Sequence, residues 1–415
     1  MRVVWIDTDF AILAGHTGTR TFALSRDLAA RGHEVEVICS DRRLPDLMPS
    51  GAWPFHFAEV DGVRVTIVNA GFGRIREGRL GWLRHLAFTL LACGHLLRRR
   101  RPDVVCVTVP SLGGVLPALA ARWLRRVPFV LEVRRLVTES LVGTGRIRSP
   151  VLIGAVTALV RSAYHGAARI VALTDPVVRH IGADPALRGK IVLVPHCCDL
   201  ALFAAGDGRR LRADNAWEDR FICVHVGSMS RVNGLEAILR AADVLREDPK
   251  FLFWLIGDGE HRAQIEGNIR DRNLHNVVIW DPQPRGRLPD ILAAADLCLM
   301  TVRPYPVLEQ ASGTRLFDYL AAGRPVLLNY GGWQRDLLES HGAGLGTGLG
   351  RHEEFWQRLC ELCDDPARRA EMGRNARLLA EQQFDQRRWT AVFEEVLAGA
   401  CGAGHERVRL QNHRA

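Results

Sequence analysis

Glu309, Gln310 and Asp318 flank one cation, Arg315, in the stretch EQASGTRLFDYLAAGRP that covers residues 309 to 325. Carboxylates placed before and inside a short amphipathic helix are suited to gripping sugar hydroxyls, and a guanidinium matches phosphate geometry bidentately. Ser312, Gly313 and Thr314 form the glycine-bearing loop between the two acids and count as contacts of the same ligand. A second candidate loop lies near the start, where Gly15, His16, Thr17 and Gly18 follow VVWID and precede TRTFALSRDLAARG. Backbone N–H groups in a strand–loop–helix of this kind attract phosphate or a developing negative charge; a tight turn is the alternative. Gly257 and Gly259 bracket Asp258 after a very apolar run, where small residues would let a backbone approach a nucleotide or simply make a turn.

These residues need strands and helices to position them, and the chain supplies both in alternation. ADLCLMTVRP is apolar and of strand length, so the loop after it belongs at that strand's carboxyl end, where open α/β sheets bind ligands. Strand-like runs (VVWID, EVEVICS, VDGVRVTIVN, PDVVCVTVP, PFVLEVR, ARIVALT, KIVLVP) alternate with helical patterns up to Leu202. FICVHVGS, FLFWLIGDG, NVVIW, LCLMTV and PVLLNY repeat the alternation in the second half. The expectation is an α/β protein of two Rossmann-like domains facing a cleft. Residues 1–203 form the first, 204–217 a Gly- and charge-rich linker, 218–385 the second, and 386–400 a last helix; a tail at 401–415 lacks apolar periodicity and is expected to fray.

Composition narrows the function. At 415 residues and 47% hydrophobic content, the chain can bury two cores. The net charge of +9 comes largely from arginines spread along the chain without aromatic stacking platforms beside them, which argues against nucleic acid and suits an anionic substrate or membrane surface. Ten cysteines, several inside apolar runs, read as buried thiols in a reducing compartment, so the expected location is cytoplasmic. Cys360 and Cys363 have no second ligand pair at zinc spacing, and no metal is expected. No run reaches membrane-span length, but GWLRHLAFTLLACGHLLRRRR at 81–101 allows a peripheral contact with anionic lipid, a core-facing helix with a basic end being the alternative.

The stretch around Asp318 resembles the signature of retaining glycosyltransferases of family 4, in which two acids are normally separated by seven residues. Glu309 and Asp318 are separated by one more, with Gln310 at the expected place. LSRDLAARGHEVEVICS, VDGVRV, ARIVALT, VLVPHCCDLALF and GSMSRVNGLEAILRAADVL match that family in order and spacing, closest to its bacterial transferases of N-acetylamino sugars and related hexoses. The resemblance implies a GT-B fold, with the last helix crossing back to the first domain. It implies a nucleotide-sugar donor, UDP rather than GDP, a small-molecule or lipid-linked acceptor, and no cofactor. It places Asp318 on the ribose, Glu309 or Gln310 at the sugar, and Trp280 to Pro284 beside the nucleobase. The family's basic pair for the diphosphate is missing, since Gly227 is followed by Ser228 and Asn233 stands where Lys is common; Arg231 and Arg315 are the substitutes.

A further departure is Arg134 and Arg135, where relatives carry Asp or His-Asp facing the acceptor. Arginine cannot act as a base, so the donor's leaving phosphate, Glu139 or His16 must take the acceptor proton. The arginine pair selects an anionic acceptor on this reading, or else forms a salt bridge with Glu132 or Glu139. A GT-B epimerase and a non-catalytic nucleotide-sugar binder are the rival functions.

Overall fold

The apolar runs form strands buried on both faces, as in FLFWLI, where all six residues are buried. The computed structural model describes residues 1–12, 20–41, 53–70, 81–145, 147–310 and 312–402, and in it these strands make two sheets. The first contains β1 (Arg2–Ile6), β2 (Glu34–Ser40), β3 (Phe55–Val60), β4 (Val63–Val68), β5 (Val104–Val109), β6 (Phe129–Val133), β7 (Arg169–Ala172) and β8 (Ile191–Leu193). Their order is β3-β4-β2-β1-β5-β6-β7-β8, parallel throughout except for the β3–β4 hairpin. The second contains β9 (Phe221–Val226), β10 (Phe251–Ile256), β11 (Val277–Trp280), β12 (Leu297–Met300), β13 (Val326–Leu328) and β14 (Gly344–Gly346), ordered β11-β10-β9-β12-β13-β14 and wholly parallel.

Parallel neighbours need crossovers, and crossover handedness decides which face each helix covers. In the first sheet Gly81–Arg98, Val115–Arg125 and Pro150–Gly166 connect steps in one direction, whereas Arg20–Ala30 connects β1 to β2 in the other. The first three helices therefore share a face, where Phe88, Ala92, Leu96 and Ala118 enter one core cluster. On the opposite face Phe22, Leu24 and Leu28 pack with Phe393, Val396 and Leu397 of the last helix, Gln386–Ala400. Phe393 stacks on Trp5 with ring centroids 5.1 Å apart, so the C-terminal helix crosses back onto the first domain.

The stretch expected as a linker is docked. Leu202–Ala205 forms a 3-10 turn and Arg209–Asp214 a helix, and Phe203 and Leu211 are buried in the core of the second half. A Cβ on Gly208 would strike the backbone of Ala294, so only glycine lets this segment lie so close to the helix Leu288–Ala294. The two chain crossings between halves run side by side: Cys198 N–H donates to the Phe384 carbonyl at 2.7 Å and Gln386 N–H to the Cys198 carbonyl at 3.2 Å. No helix among the described residues is long and apolar enough to cross a membrane. The tail from residue 403 lies outside the described residues.

Candidate functional site

The loops that follow β9, β10 and β12 meet at the carboxyl edge of the second sheet, with the helix Arg315–Ala321 beside them. Gly257 has φ +149°, and a Cβ there would run into the carbonyl oxygen of Gly227; Met229 N–H donates to the Asp258 carbonyl at 2.8 Å. Gly257 and Gly259 thus serve the packing of one loop on the other.

Arg315 lies across this junction. Gly227 has φ +143°, which favours glycine, and a Cβ there would come within 3.2 Å of the Arg315 guanidinium carbon. The guanidinium donates to Asn233 Oδ1 at 3.1 Å, and its Nη1 lies 2.8 Å from Nε2 and 3.2 Å from Nδ1 of His225. Nδ1 is also 3.3 Å from the Leu299 carbonyl, and a proton on Nδ1 fits that carbonyl and leaves Nε2 to accept. Burial, reinforced by Arg315, holds His225 well below the ordinary histidine range and keeps it neutral. Arg315 therefore has two neutral acceptors and no carboxylate partner among the described residues. Asn233 is fixed in turn, its side-chain amide donating to the Ser228 carbonyl and its backbone carbonyl accepting from Thr301 Oγ1 at 2.7 Å. Arg231 projects from the same loop, exposed, its guanidinium unpaired among the described residues.

Asp318 is held by a residue that the sequence did not suggest. Arg285 donates Nη1 to Oδ2 at 3.0 Å and Nη2 to Oδ1 at 2.8 Å, and its guanidinium sits 5.8 Å from the centre of the Phe203 ring. Both partners are largely buried, with side-chain exposures of 13% and 18%. His225 was equally hidden, since a lone histidine inside FICVHV reads as core. Only their joint position at the sheet edge, created by the fold, reveals either residue.

Glu309 turns toward the loop after β13, accepting from Gly331 N–H at 2.9 Å through Oε1. Gln310 is exposed with no partner among the described residues, and the buried Ser312 hydroxyl has none either. Val307, in the same 3-10 segment Pro306–Gln310, packs on Gly143 at the end of the helix Val137–Gly143, so this segment closes one side of the space between the domains. Gly313 abuts the Met300 methyl, and Thr314 is exposed just ahead of the helix.

In the first domain Arg134 belongs to a buried ion network, the salt-bridge alternative raised above. Its Nη2 donates to Thr21 Oγ1 at 2.6 Å, Asp7 Oδ2 at 3.2 Å and Glu132 Oε2 at 3.4 Å. Glu132 also accepts from Arg20 at 2.5 Å and from Thr108 at 2.9 Å. Burial pushes Glu132 up, but Arg134 and Arg20 together hold it below its ordinary value; burial leaves Asp7 raised despite Arg134. Arg135, by contrast, is exposed. Glu139 pairs with His180 at 3.1 Å on a half-exposed surface. Gly15, His16, Thr17 and Gly18 lie outside the described residues. His196 is buried and driven well below its ordinary range by burial, then by Arg20 and Arg134, and its ring lies 5.5 Å from that of Phe317 in the second domain. Burial pushes the Cys197 thiol up to about 11 and the Cys198 thiol up as well, which removes them as nucleophiles. No group of three or more metal-ligating side chains gathers among the described residues.

Residues 16–197 match the family model described as a glycosyl transferase 4-like domain, and residues 207–379 match that of glycosyl transferases group 1. The chain belongs to the GT-B glycosyltransferases of family 4. This glycosyltransferase is 24% identical over 310 residues to the putative colanic acid biosynthesis glycosyl transferase WcaI of Escherichia coli (strain K12), covering 71% of this chain and 75% of that protein. It is 26% identical over 296 residues to the 2-deoxystreptamine glucosyltransferase of Streptomyces kanamyceticus, covering 68% and 73%. Its fold matches sucrose-phosphate synthase from Thermosynechococcus elongatus with a TM-score of 0.77 at 17% identity, over 97% of this chain and 100% of that one. Anabaena HepE in complex with UDP matches with a TM-score of 0.69 at 16% identity, over 96% and 100%. The two family matches of this glycosyltransferase are separated by residues 198–206, the outward crossing that pairs with Phe384 and Gln386.

Proposed function

We propose that this glycosyltransferase moves a sugar from a nucleotide diphosphate sugar, UDP-linked rather than GDP-linked, to a small or lipid-linked acceptor, with retention and without a divalent metal. The observation that carries this reading is Arg315, a cation fixed by His225 and Asn233, both neutral, at the carboxyl edge of the second sheet. Among the described residues no carboxylate compensates its charge, which is available to a diphosphate, with Arg231 on the same loop as the second cation. Structures of HepE with UDP and with UDP-glucose support the donor class, and the names of WcaI and the 2-deoxystreptamine glucosyltransferase illustrate how widely acceptors vary on this fold.

Asp318 takes the ribose hydroxyls in this reading. A carboxylate has about four lone-pair sites, so the two bonds from Arg285 leave room for ligand hydroxyls while fixing the carboxylate plane. Glu309 spends one oxygen on Gly331 and, with Gln310, Ser312, Gly313 and Thr314, borders the sugar. Bond cleavage at the anomeric carbon places negative charge on the departing diphosphate, beside Arg315 and Arg231. The acceptor proton passes to that phosphate on the same face, with Glu139 already paired to His180 at 3.1 Å. Closure between Val307 and Gly143 would keep out water that would hydrolyse the donor. Arg135 faces an anionic acceptor, and the stretch 81–101 makes a peripheral membrane contact.

Calorimetry of UDP and GDP without added metal, on the wild type and on Arg315→Ala and Asp318→Ala, tests the reading. UDP binding weakened by both substitutions, together with slow hydrolysis of the sugar donor, supports the transferase. Failure of both nucleotides to bind overturns it, and binding without any donor turnover favours a non-catalytic binder.

A further inference from the structure

The three helices that share one face of the first sheet carry eight of the thirteen large apolar side chains exposed among the described residues, Trp53, Phe57 and Val142 being the others in the first domain. On Gly81–Arg98, Phe88, Thr89, Ala92, His95 and Leu96 are buried, so the core-facing alternative holds for that side. Its other side carries Leu83, Leu86 and Leu90 at helical spacing, Leu90 being 64% exposed. On the neighbouring Val115–Arg125, Leu116, Trp123 and Leu124 point out, the last two 71% and 72% exposed. Pro150–Gly166 adds Val151 and Leu152, with Val151 79% exposed. Among the described residues the second domain exposes only Val244 and Leu378 in this way. So many large apolar side chains on three adjacent helices form a patch that water would not select.

The three helices themselves carry charge of one sign, and the Asp184 carboxylate pairs with His165 in the last turn of Pro150–Gly166. None of the three helices contains an Asp or a Glu. Arg98, Arg99, Arg100, Arg122, Arg126 and Arg161 lie on them or follow directly, and none pairs with a carboxylate of any described residue. Two of the flanking arginines organise the rim: Arg125 donates to the carbonyls of Leu96 and Arg99, and Arg101 to that of Arg126, so the helix ends are tied into one basic edge.

Direction follows from topology. In a parallel sheet the helices start at the carboxyl ends of the strands, so Leu83, Leu116, Val151 and Leu152 lie toward the cleft, and the arginines after Leu97 and Leu124 lie at the far end. A second copy of this chain would bring two arginine-rich sets of acid-free helices together, which like-charge repulsion opposes. A surface that is apolar within and anionic at its boundary satisfies both features.

We propose that the outer face of Gly81–Arg98, Val115–Arg125 and Pro150–Gly166 docks as one unit on an anionic lipid bilayer, with the leucines and Trp123 inserted among the headgroups and the arginines on lipid phosphates. This deepens the membrane contact proposed above from one stretch to a three-helix surface, and it places the cleft mouth at the bilayer. Co-sedimentation of the full chain with phosphatidylglycerol vesicles and with phosphatidylcholine vesicles tests it. The expected result is binding to the anionic vesicles that falls with added salt, and a loss of at least about tenfold in Leu86→Ser/Leu90→Ser/Trp123→Ser. A second variant, Arg98→Glu/Arg99→Glu/Arg100→Glu, should lose binding to anionic vesicles as well. Thermal unfolding midpoints near that of the wild type show that both variants fold. Absence of wild-type binding to anionic vesicles overturns the proposal, as does binding that both variants retain, or a dimer in sedimentation that the serine variant abolishes without any vesicle binding. UDP calorimetry on the same samples keeps the two readings apart: vesicle binding without UDP binding removes the donor assignment alone, and UDP binding without vesicle binding removes this surface alone.

Discussion

Arg285 grips both carboxylate oxygens of Asp318, at 3.0 and 2.8 Å, across 33 positions of sequence. The pair is largely withdrawn from water, and a shielded carboxylate deprived of its cation is costly. Arg285→Ala should therefore lower stability by on the order of 3 kcal/mol and, by releasing Asp318, weaken UDP binding. Urea unfolding and calorimetry on the same variant measure the two effects; unchanged values for both would remove Arg285 from the site.

Arg315 offers a sharper test of charge. A charge-assisted hydrogen bond contributes roughly 1.5–3 kcal/mol, so Arg315→Ala should weaken UDP by about 10- to 100-fold while leaving uridine nearly unaffected. His225→Phe removes one of its acceptors and should cost UDP affinity several-fold, with His225→Gln restoring part of it. Equal losses for UDP and uridine would mean that Arg315 does not meet the phosphates.

Acid sensitivity follows from the two buried histidines. His196 and His225 are held below the ordinary value of 6.5 in the folded chain, whereas the unfolded chain takes up protons at about that value. The unfolded state thus binds more protons as pH drops below about 6.5, and each histidine lowers stability by up to about 1.4 kcal/mol per pH unit. Urea unfolding of wild type and His225→Gln between pH 7.5 and 5.5, a range of roughly one unit on either side of the imidazole pKa, should show a shallower decline in the variant. Parallel curves would contradict the neutral, buried assignment.

Glu132 is the shared counter-charge of Arg20 and Arg134. Replacing it with Gln leaves two buried guanidiniums short of one carboxylate, and a stability loss of about 3–5 kcal/mol is expected. UDP affinity of the folded fraction should be unchanged, since the network lies wholly in the first domain. A drop in UDP affinity at full folding would show instead that it communicates with the donor side.

The architecture was legible because it rests on local patterns. FLFWLI and VVCVTV announce buried parallel strands by composition alone, and the helix after Gly313 announces itself by its apolar spacing. The partners of the candidate residues were not legible, because they depend on strand order. Trp5, Thr108 and Glu132 form a chain of hydrogen bonds only because β1, β5 and β6 lie side by side. For Arg134 the sequence leaves an anionic acceptor and a salt bridge both open, and the structure shows the salt bridge: Asp7 at the end of β1, Thr21 on the helix behind it and Glu132 take its guanidinium. Likewise Arg285 and Asp318 follow different strands of the second sheet, and nothing in either segment names the other.

The side-by-side crossings at Cys198 and Asp385 bear on how the molecule moves. Two separate tethers would let the halves slide or twist independently, whereas two strips hydrogen-bonded to each other bend together about a single line, like a door hung on one post. Val307 and Gly143 are then the latch edge of that door. A rotation of one half against the other would then turn on the few backbone torsions around Cys198 and Asp385, with each sheet keeping its own strand pairing.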